Sequence, residues 1–178
     1  MIETERLILR DFRDDDRDAF AALNADETVA EWLGGPIDRA ASDTMVERIR
    51  GHIAEHGFGL WAVERKADGA FLGFDGLQRV KPGALPVGPA VEIGWRLSRD
   101  AWGAGYATEA GRAALAWAFA NTDLDEIISF TASGNVRSEA VMRRIGMIRD
   151  PARDFLHPHL PVDHPLRPHI VYAARRPL

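Results

Sequence analysis

Three small residues, Gly103-Ala104-Gly105, stand between an apolar segment that ends near Ser98 and an alanine-rich run that begins at Ala107. A turn without bulky side chains lets a ligand approach the main chain closely. If a helix begins there, the N–H groups of its first turn have no internal partners, and its dipole presents positive charge. That combination suits a phosphate, and Thr108 adds a hydroxyl. The same residues also suit a plain strand-to-helix turn with nothing bound. Two familiar phosphate loops do not fit. The P-loop needs Gly-Lys-Ser/Thr, which is absent, and the dinucleotide pattern needs Gly or Ala where Thr108 stands.

Other residues able to do chemistry lie on either side. Glu92 sits between Val91 and Ile93, so an alternating strand turns its carboxyl to one face. There it is a proton acceptor or a half-exposed strand carboxylate. Asn135 and Ser138 open a short helical pattern, Asn135 as a cap and Ser138 in the first turn. His157, His159, His164 and His169 fall in one Pro-rich stretch. Imidazoles are common metal ligands, yet this spacing lies on a loop and lacks H-E-x-x-H, so no metal is expected.

Composition bounds these choices. The chain has 178 residues, 46% hydrophobic and 28% charged, which is the size and balance of one folded domain over 1–178. There is no cysteine, which removes disulfides and thiolate chemistry. A net charge of −5 offers no basic face for nucleic acid. No apolar run is long enough to span a membrane. The opening MIETERLILR lacks an apolar signal core and reads as a mature cytoplasmic N-terminus.

The elements that must position these residues follow from periodicity. Arg6–Phe12 reads as a strand. Asp14, Asp15 and Asp16 start a helix that buries Phe20 and Leu23. Ser42 caps a second helix with Met45, Val46, Ile49 and Ile53 on its inner face, ended by Gly57. Strands over Phe58–Arg65, Phe71–Arg79 and Val87–Ser98 form an antiparallel meander, the first turn marked by Asp68-Gly69. A helix over Gly103–Asn121 presents Ala107, Ala110, Gly111, Ala114, Leu115, Ala118 and Phe119 on one face. A strand over Glu126–Ala132, a helix over Val136–Ile145 and two tail strands complete the chain. The expected class is α/β of the α+β type: a mixed, mostly antiparallel twisted sheet of about seven strands with helices on both faces.

In this order the motifs resemble the GNAT superfamily of N-acetyltransferases. Trp102-Gly103-Ala104-Gly105-Tyr106-Ala107 is similar to its Q/R-x-x-G-x-G/A signature, with Trp at the first position. The longer run through Thr108-Glu109-Ala110 and the opening Thr4-Glu5-Arg6-Leu7 resemble the RimJ/RimL-like branch. Asn135 to Ser138, with Gly146-Met147 after it, resembles the family's N-x-x-S…G-F segment. The resemblance implies that Gly103, Ala104, Gly105, Tyr106, Ala107 and Thr108 hold the pyrophosphate of acetyl-CoA. It implies that Trp95, Arg96 and Leu97 pair with the pantetheine arm, with an amide there on the thioester oxygen. Asn135 and Ser138 would touch the cofactor.

For the chemistry, the resemblance implies Glu92 as base acting through water. The Tyr that many members use as acid falls on Met142, so Ser138 takes that place, with Tyr106 as the alternative hydroxyl. His157 and His169 would line the acceptor site. The expected reaction is direct transfer of acetyl from acetyl-CoA to a primary amine, on a protein N-terminus or a small molecule, by a monomer or homodimer. A non-catalytic acyl-CoA sensor and a dinucleotide-binding oxidoreductase are the competing readings.

Overall fold

The structure, a computed structural model, describes residues 1–177. Its strands are β1 (Ile2–Glu3), β2 (Leu7–Arg10), β3 (Leu60–Arg65), β4 (Phe71–Val80), β5 (Ala90–Leu97), β6 (Glu126–Ala132), β7 (Ile148–Arg149), β8 (Phe155–Leu156) and β9 (Pro168–Arg175). Its helices are α1 (Arg17–Ala25), α2 (Glu27–Ala30), α3 (Arg39–His56), α4 (Tyr106–Asn121) and α5 (Val136–Arg144). The described strands form one sheet in the order β1-β2-β3-β4-β5-β6-β9-β7, with β8 on β9. Every pairing is antiparallel except β5 with β6.

The sheet has nine strands where periodicity gives about seven. One extra is the short β1. The other arises because the expected tail strand breaks into β7 and β8 around a turn of 3-10 helix at Pro151–Arg153. Proline has no N–H for a ladder, so the strand cannot run through it.

The two faces carry different helices. α4 packs its small residues onto β4 and β5, with Ala110, Ala114 and Ala118 fully buried. Close approach is built in at Gly111: a Cβ there would meet Ile145 at 3.4 Å and the Asp75 carboxylate at 3.7 Å. On the other face, Phe20, Val46, Ile49 and Phe74 form a separate cluster under α1 and α3. A third cluster, Ile128, Phe155, Val171 and Ala173, lies under the tail.

Two helix starts differ from expectation. Asp38, not Ser42, caps α3 by accepting from the Ala41 N–H. Ser42 is instead fully buried and accepts from Asn24 Nδ2 at 2.9 Å. Asp16 does more than complement a helix dipole. It takes both Nη atoms of buried Arg10, at 2.7 and 2.8 Å, and ties α1 to β2.

Candidate active site

The sheet opens at one place. β5 and β6 share a single register pair, Glu92 with Ile128. Beyond it the strands separate, and Trp95, Arg96 and Leu97 lie on the freed edge. The Ser98 N–H donates to the Leu72 carbonyl at 2.8 Å, which turns the backbone of residues 96 and 98 toward β4. By alternation, the amides of Trp95 and Leu97 face the opening. The Trp102 indole N–H donates to the Leu97 carbonyl at 2.9 Å, so the Leu97 N–H is what remains for a ligand.

A cleft of about 1270 Å³ occupies this opening. One wall is the Gly103–Thr108 turn, the other is α5, and the floor is Trp95–Leu97. Gly103 and Gly105 have φ of +75° and +83°, left-handed values that glycine adopts without strain. A Cβ at Gly103 would meet nothing within 4 Å, so the backbone there is open to the cleft. Gly105 is the N-cap of α4, and no side chain caps that helix. The first-turn N–H groups therefore stay available, at the positive end of a helix of 16 residues. These features fit a pyrophosphate. Arg112, Arg137 and Arg144 also line the cleft and add positive charge.

The turn is held from the N-terminal segment, a link that sequence reasoning missed. Arg6 Nη1 donates to the Ala104 carbonyl at 3.0 Å, and Arg6 Nε donates to Glu109 Oε2 at 2.7 Å. Glu109 Oε1 accepts from Thr4 Oγ1 at 2.6 Å and from the Arg6 N–H at 2.9 Å. The Arg6 guanidinium also covers the Tyr106 ring at 4.6 Å. The available signal was the pairing of Thr4 and Arg6 with Glu109, which spacing alone cannot reveal across about a hundred residues.

Across the cleft, Asn135 caps α5 by accepting from the Ser138 N–H at 3.3 Å. Its Nδ2 donates to Ser138 Oγ at 3.2 Å and to Thr131 Oγ1 at 2.9 Å. Ser138 thus has one acceptor lone pair occupied and keeps its own proton for another partner. Both residues line the cleft. Met142 is buried in the core under α4.

Glu92 does not line the cleft. It stands at the vertex of the split, and its Oε1 accepts from Gln78 Nε2 at 3.2 Å. Burial pushes its pKa up to about 7. His157 and His169 do not line the cleft either. They sit on the tail hairpin with ring centroids 5.1 Å apart, His169 stacked on Phe155 at 5.1 Å. Burial lowers both histidine pKa values, which keeps the rings neutral. This group belongs to the same sheet face as Glu92, because Ala90, Ile128 and Phe130 contribute to its packing. Among the described residues, no three His, Cys, Asp or Glu side chains are grouped to hold a metal ion.

Residues 6–148 match the family model described as an acetyltransferase (GNAT) domain. The chain belongs to the GNAT acetyltransferase family. It is 32% identical to the uncharacterized protein YkkB of Bacillus subtilis over 145 residues, 81% of this chain and 83% of that protein. An acetyltransferase of Agrobacterium tumefaciens superposes with a TM-score of 0.79 at 28% identity, covering 98% of this chain and 93% of that one. A spermidine N-acetyltransferase of Vibrio cholerae, solved with CoA and spermine, gives a TM-score of 0.75 at 16% identity and covers 97% of each chain. That last likeness is one of fold.

Proposed function

We propose that this GNAT protein transfers an acetyl group from acetyl-CoA directly to a primary amine, and that it falls in the RimJ/RimL-like branch by its Trp102-to-Ala110 run. The observation that carries the reading is the cleft at the β5/β6 split, with open amides on two sides, the first turn of α4 and the edge of β5. The first-turn amides of α4 hold the pyrophosphate, and the edge of β5 receives the pantetheine arm. Acetyl-CoA supplies the activated acetyl group as a thioester.

The chain's own groups account for the remaining steps. The Leu97 N–H stands where it can stabilise the carbonyl oxygen as the carbon becomes tetrahedral. The amine nitrogen forms the new C–N bond and the C–S bond breaks. A lysine amine has a reference pKa of about 10.4 and a peptide N-terminus about 7.7–8.0, so most of the amine carries an extra proton at neutral pH. Glu92 accepts that proton through water, since its pKa near 7 places it between carboxylate and amine. Ser138 Oγ, polarised by Asn135, donates to the departing thiolate. His157 and His169 lie outside the cleft, on the Glu92 face of the sheet, as the alternative proton acceptors.

Thermal shift with acetyl-CoA and NAD, followed by thiol release against a panel of amines, tests the assignment. Acetyl-CoA should stabilise the fold by about 2.7 kcal/mol at 100 times its Kd, and NAD should not. Stabilisation without thiol release for any amine would favour a non-catalytic acyl-CoA sensor. Ser138→Ala should slow turnover while leaving CoA affinity near that of the wild type.

A further inference from the structure

Arg96 has an unusual environment for a guanidinium. Its backbone lies on the freed edge of β5, between the two amides that face the cleft, but its side chain leaves the sheet on the opposite face from α4. There it covers the Phe74 ring at 5.6 Å and its Nη1 donates to Asn24 Oδ1. Asn24 is itself fixed by its bond to Ser42, so the arginine is held in place. Its Nε is buried with no partner, and Nη2 makes no hydrogen bond among the described residues. No described carboxylate forms an ion pair with it. The carboxylate on its own face of β5, Glu92, is four residues away, about 13 Å along a strand. The charged neighbour that acts on it is another cation, Arg48.

A mostly buried guanidinium without a counter-charge is costly unless something completes it. Nε is enclosed, whereas Nη2 has no partner among the described residues and is not enclosed, so Nη2 is the donor left to a ligand. Its N–H groups can take a carboxylate in a charge-assisted bond. Arg96 also lines the cleft, together with Thr28, Val29 and Trp32 on the α2 side. An acceptor amine reaching the thioester from this side passes the strand at Arg96, the residue next to the Leu97 edge.

We propose that Arg96 binds an anionic group on the acceptor and that the acceptor is an α-amino acid, whose carboxylate lies one carbon from its amine. This rests on the acetyl-transfer reading above. The carboxylate on Arg96 orients the amine toward the Leu97 edge. A polyamine would instead bring further positive charge against Arg96 and Arg48.

The test compares the twenty free amino acids with their α-amides and decarboxylated amines, for the wild type, Arg96→Gln and Arg96→Lys, with folding checked by melting temperature. The wild type should prefer its best amino acid over the matching amide by about 10–100-fold in kcat/KM, the worth of one charge-assisted pair. Arg96→Gln should bring that ratio close to one, and Arg96→Lys should retain part of it. Equal use of amino acid and amide by the wild type, or an unchanged ratio in Arg96→Gln, overturns the proposal. If acetyl-CoA binds and no amine is acetylated, the transfer reading falls. The anion site is then read separately, from melting shifts with CoA plus each N-acetyl amino acid or its amide. No Arg96-dependent preference for the acids overturns it.

Discussion

Arg6 reaches across the fold to the Ala104 carbonyl, 3.0 Å from its Nη1. The contact joins the loop before β2 to the middle of the Gly103–Thr108 turn. It orients the turn without occupying it, because the bond uses a carbonyl and leaves the first-turn N–H groups of α4 free. Arg6→Ala should therefore weaken CoA binding by about 5–20-fold, the range of one or two modest hydrogen bonds. Glu109→Gln should give a smaller loss, since the pair is partly exposed and screened. Calorimetric titration with CoA on both folded variants checks this. An Arg6→Ala affinity equal to the wild type would mean the turn holds its shape alone.

Gly105 tests the turn itself. At φ +83° any other residue is strained by about 1–2 kcal/mol. A Cβ there would lie 3.6 Å from Arg6 Nη2, close but tolerable. Gly105→Val adds a branched side chain at the N-cap of α4. We expect a lower melting temperature together with a loss of CoA affinity larger than the stability change accounts for. Comparison with Gly105→Ala separates backbone strain from blocked phosphate approach. Unchanged CoA affinity in a folded Gly105→Val protein would place the pyrophosphate elsewhere.

Glu92 couples activity to stability through one ionisation. Its folded pKa of about 7 lies above its ordinary value because it is buried. The unfolded chain binds fewer protons between the two values, so stability falls as pH rises through that window and levels off above about 7. Glu92→Gln should match the wild type near pH 4 and be the more stable of the two above pH 7, by up to about 3 kcal/mol. Its turnover should move oppositely, with a loss of about 10²–10⁴-fold near neutral pH that shrinks as pH approaches the amine's pKa. Wild-type rates in Glu92→Gln from pH 6 to 9 would remove it from the mechanism and turn attention to His157 and His169.

Asp75 is a second buried carboxyl, with a structural signature only. It is fully buried, faces Gly111, and neither oxygen has a partner. Burial pushes its pKa well above the ordinary value, so it keeps its proton to a higher pH than the unfolded chain does. The unfolded chain ionises there first, so this residue costs stability increasingly as pH rises above about 4. Asp75→Asn cannot ionise. Its melting temperature relative to the wild type should climb from pH 4 to pH 8, and a difference that stays flat over that range would show that Asp75 is not neutral in the fold.

The linear sequence carried a good deal of this. Gly103-Ala104-Gly105 marked the turn because small residues and positive φ are local requirements. The buried face Ala110, Gly111, Ala114, Leu115 and Ala118 was legible because helical periodicity is local as well. The meander of β3, β4 and β5 followed from alternation and from Asp68-Gly69. The strand count was less legible, because Pro151 divides a segment whose apolar pattern looks continuous.

What the sequence determined by itself was most of the longer elements and the glycine turn, since turns and periodic faces depend on neighbours within a few positions; the short β1 and α2, the break between β7 and β8, and Asp38 in place of Ser42 as the cap of α3 were not legible there. The tertiary structure decided which of those residues meet. Trp95 and Leu97 lie on a free edge because β6 pairs with β5 at Glu92 and Ile128 and then diverges, a relation between strands far apart in the chain. Arg6 becomes a clamp only when β2 and α4 lie together. Asn24 and Ser42 hold Arg96 only when α1, α3 and β5 pack on one face. His169 stacks on Phe155, with His157 beside it, away from the cleft, because antiparallel pairing of β8 with β9 sets Phe155 opposite His169. Such contacts arise from packing across long chain separations, where no local pattern records the partner.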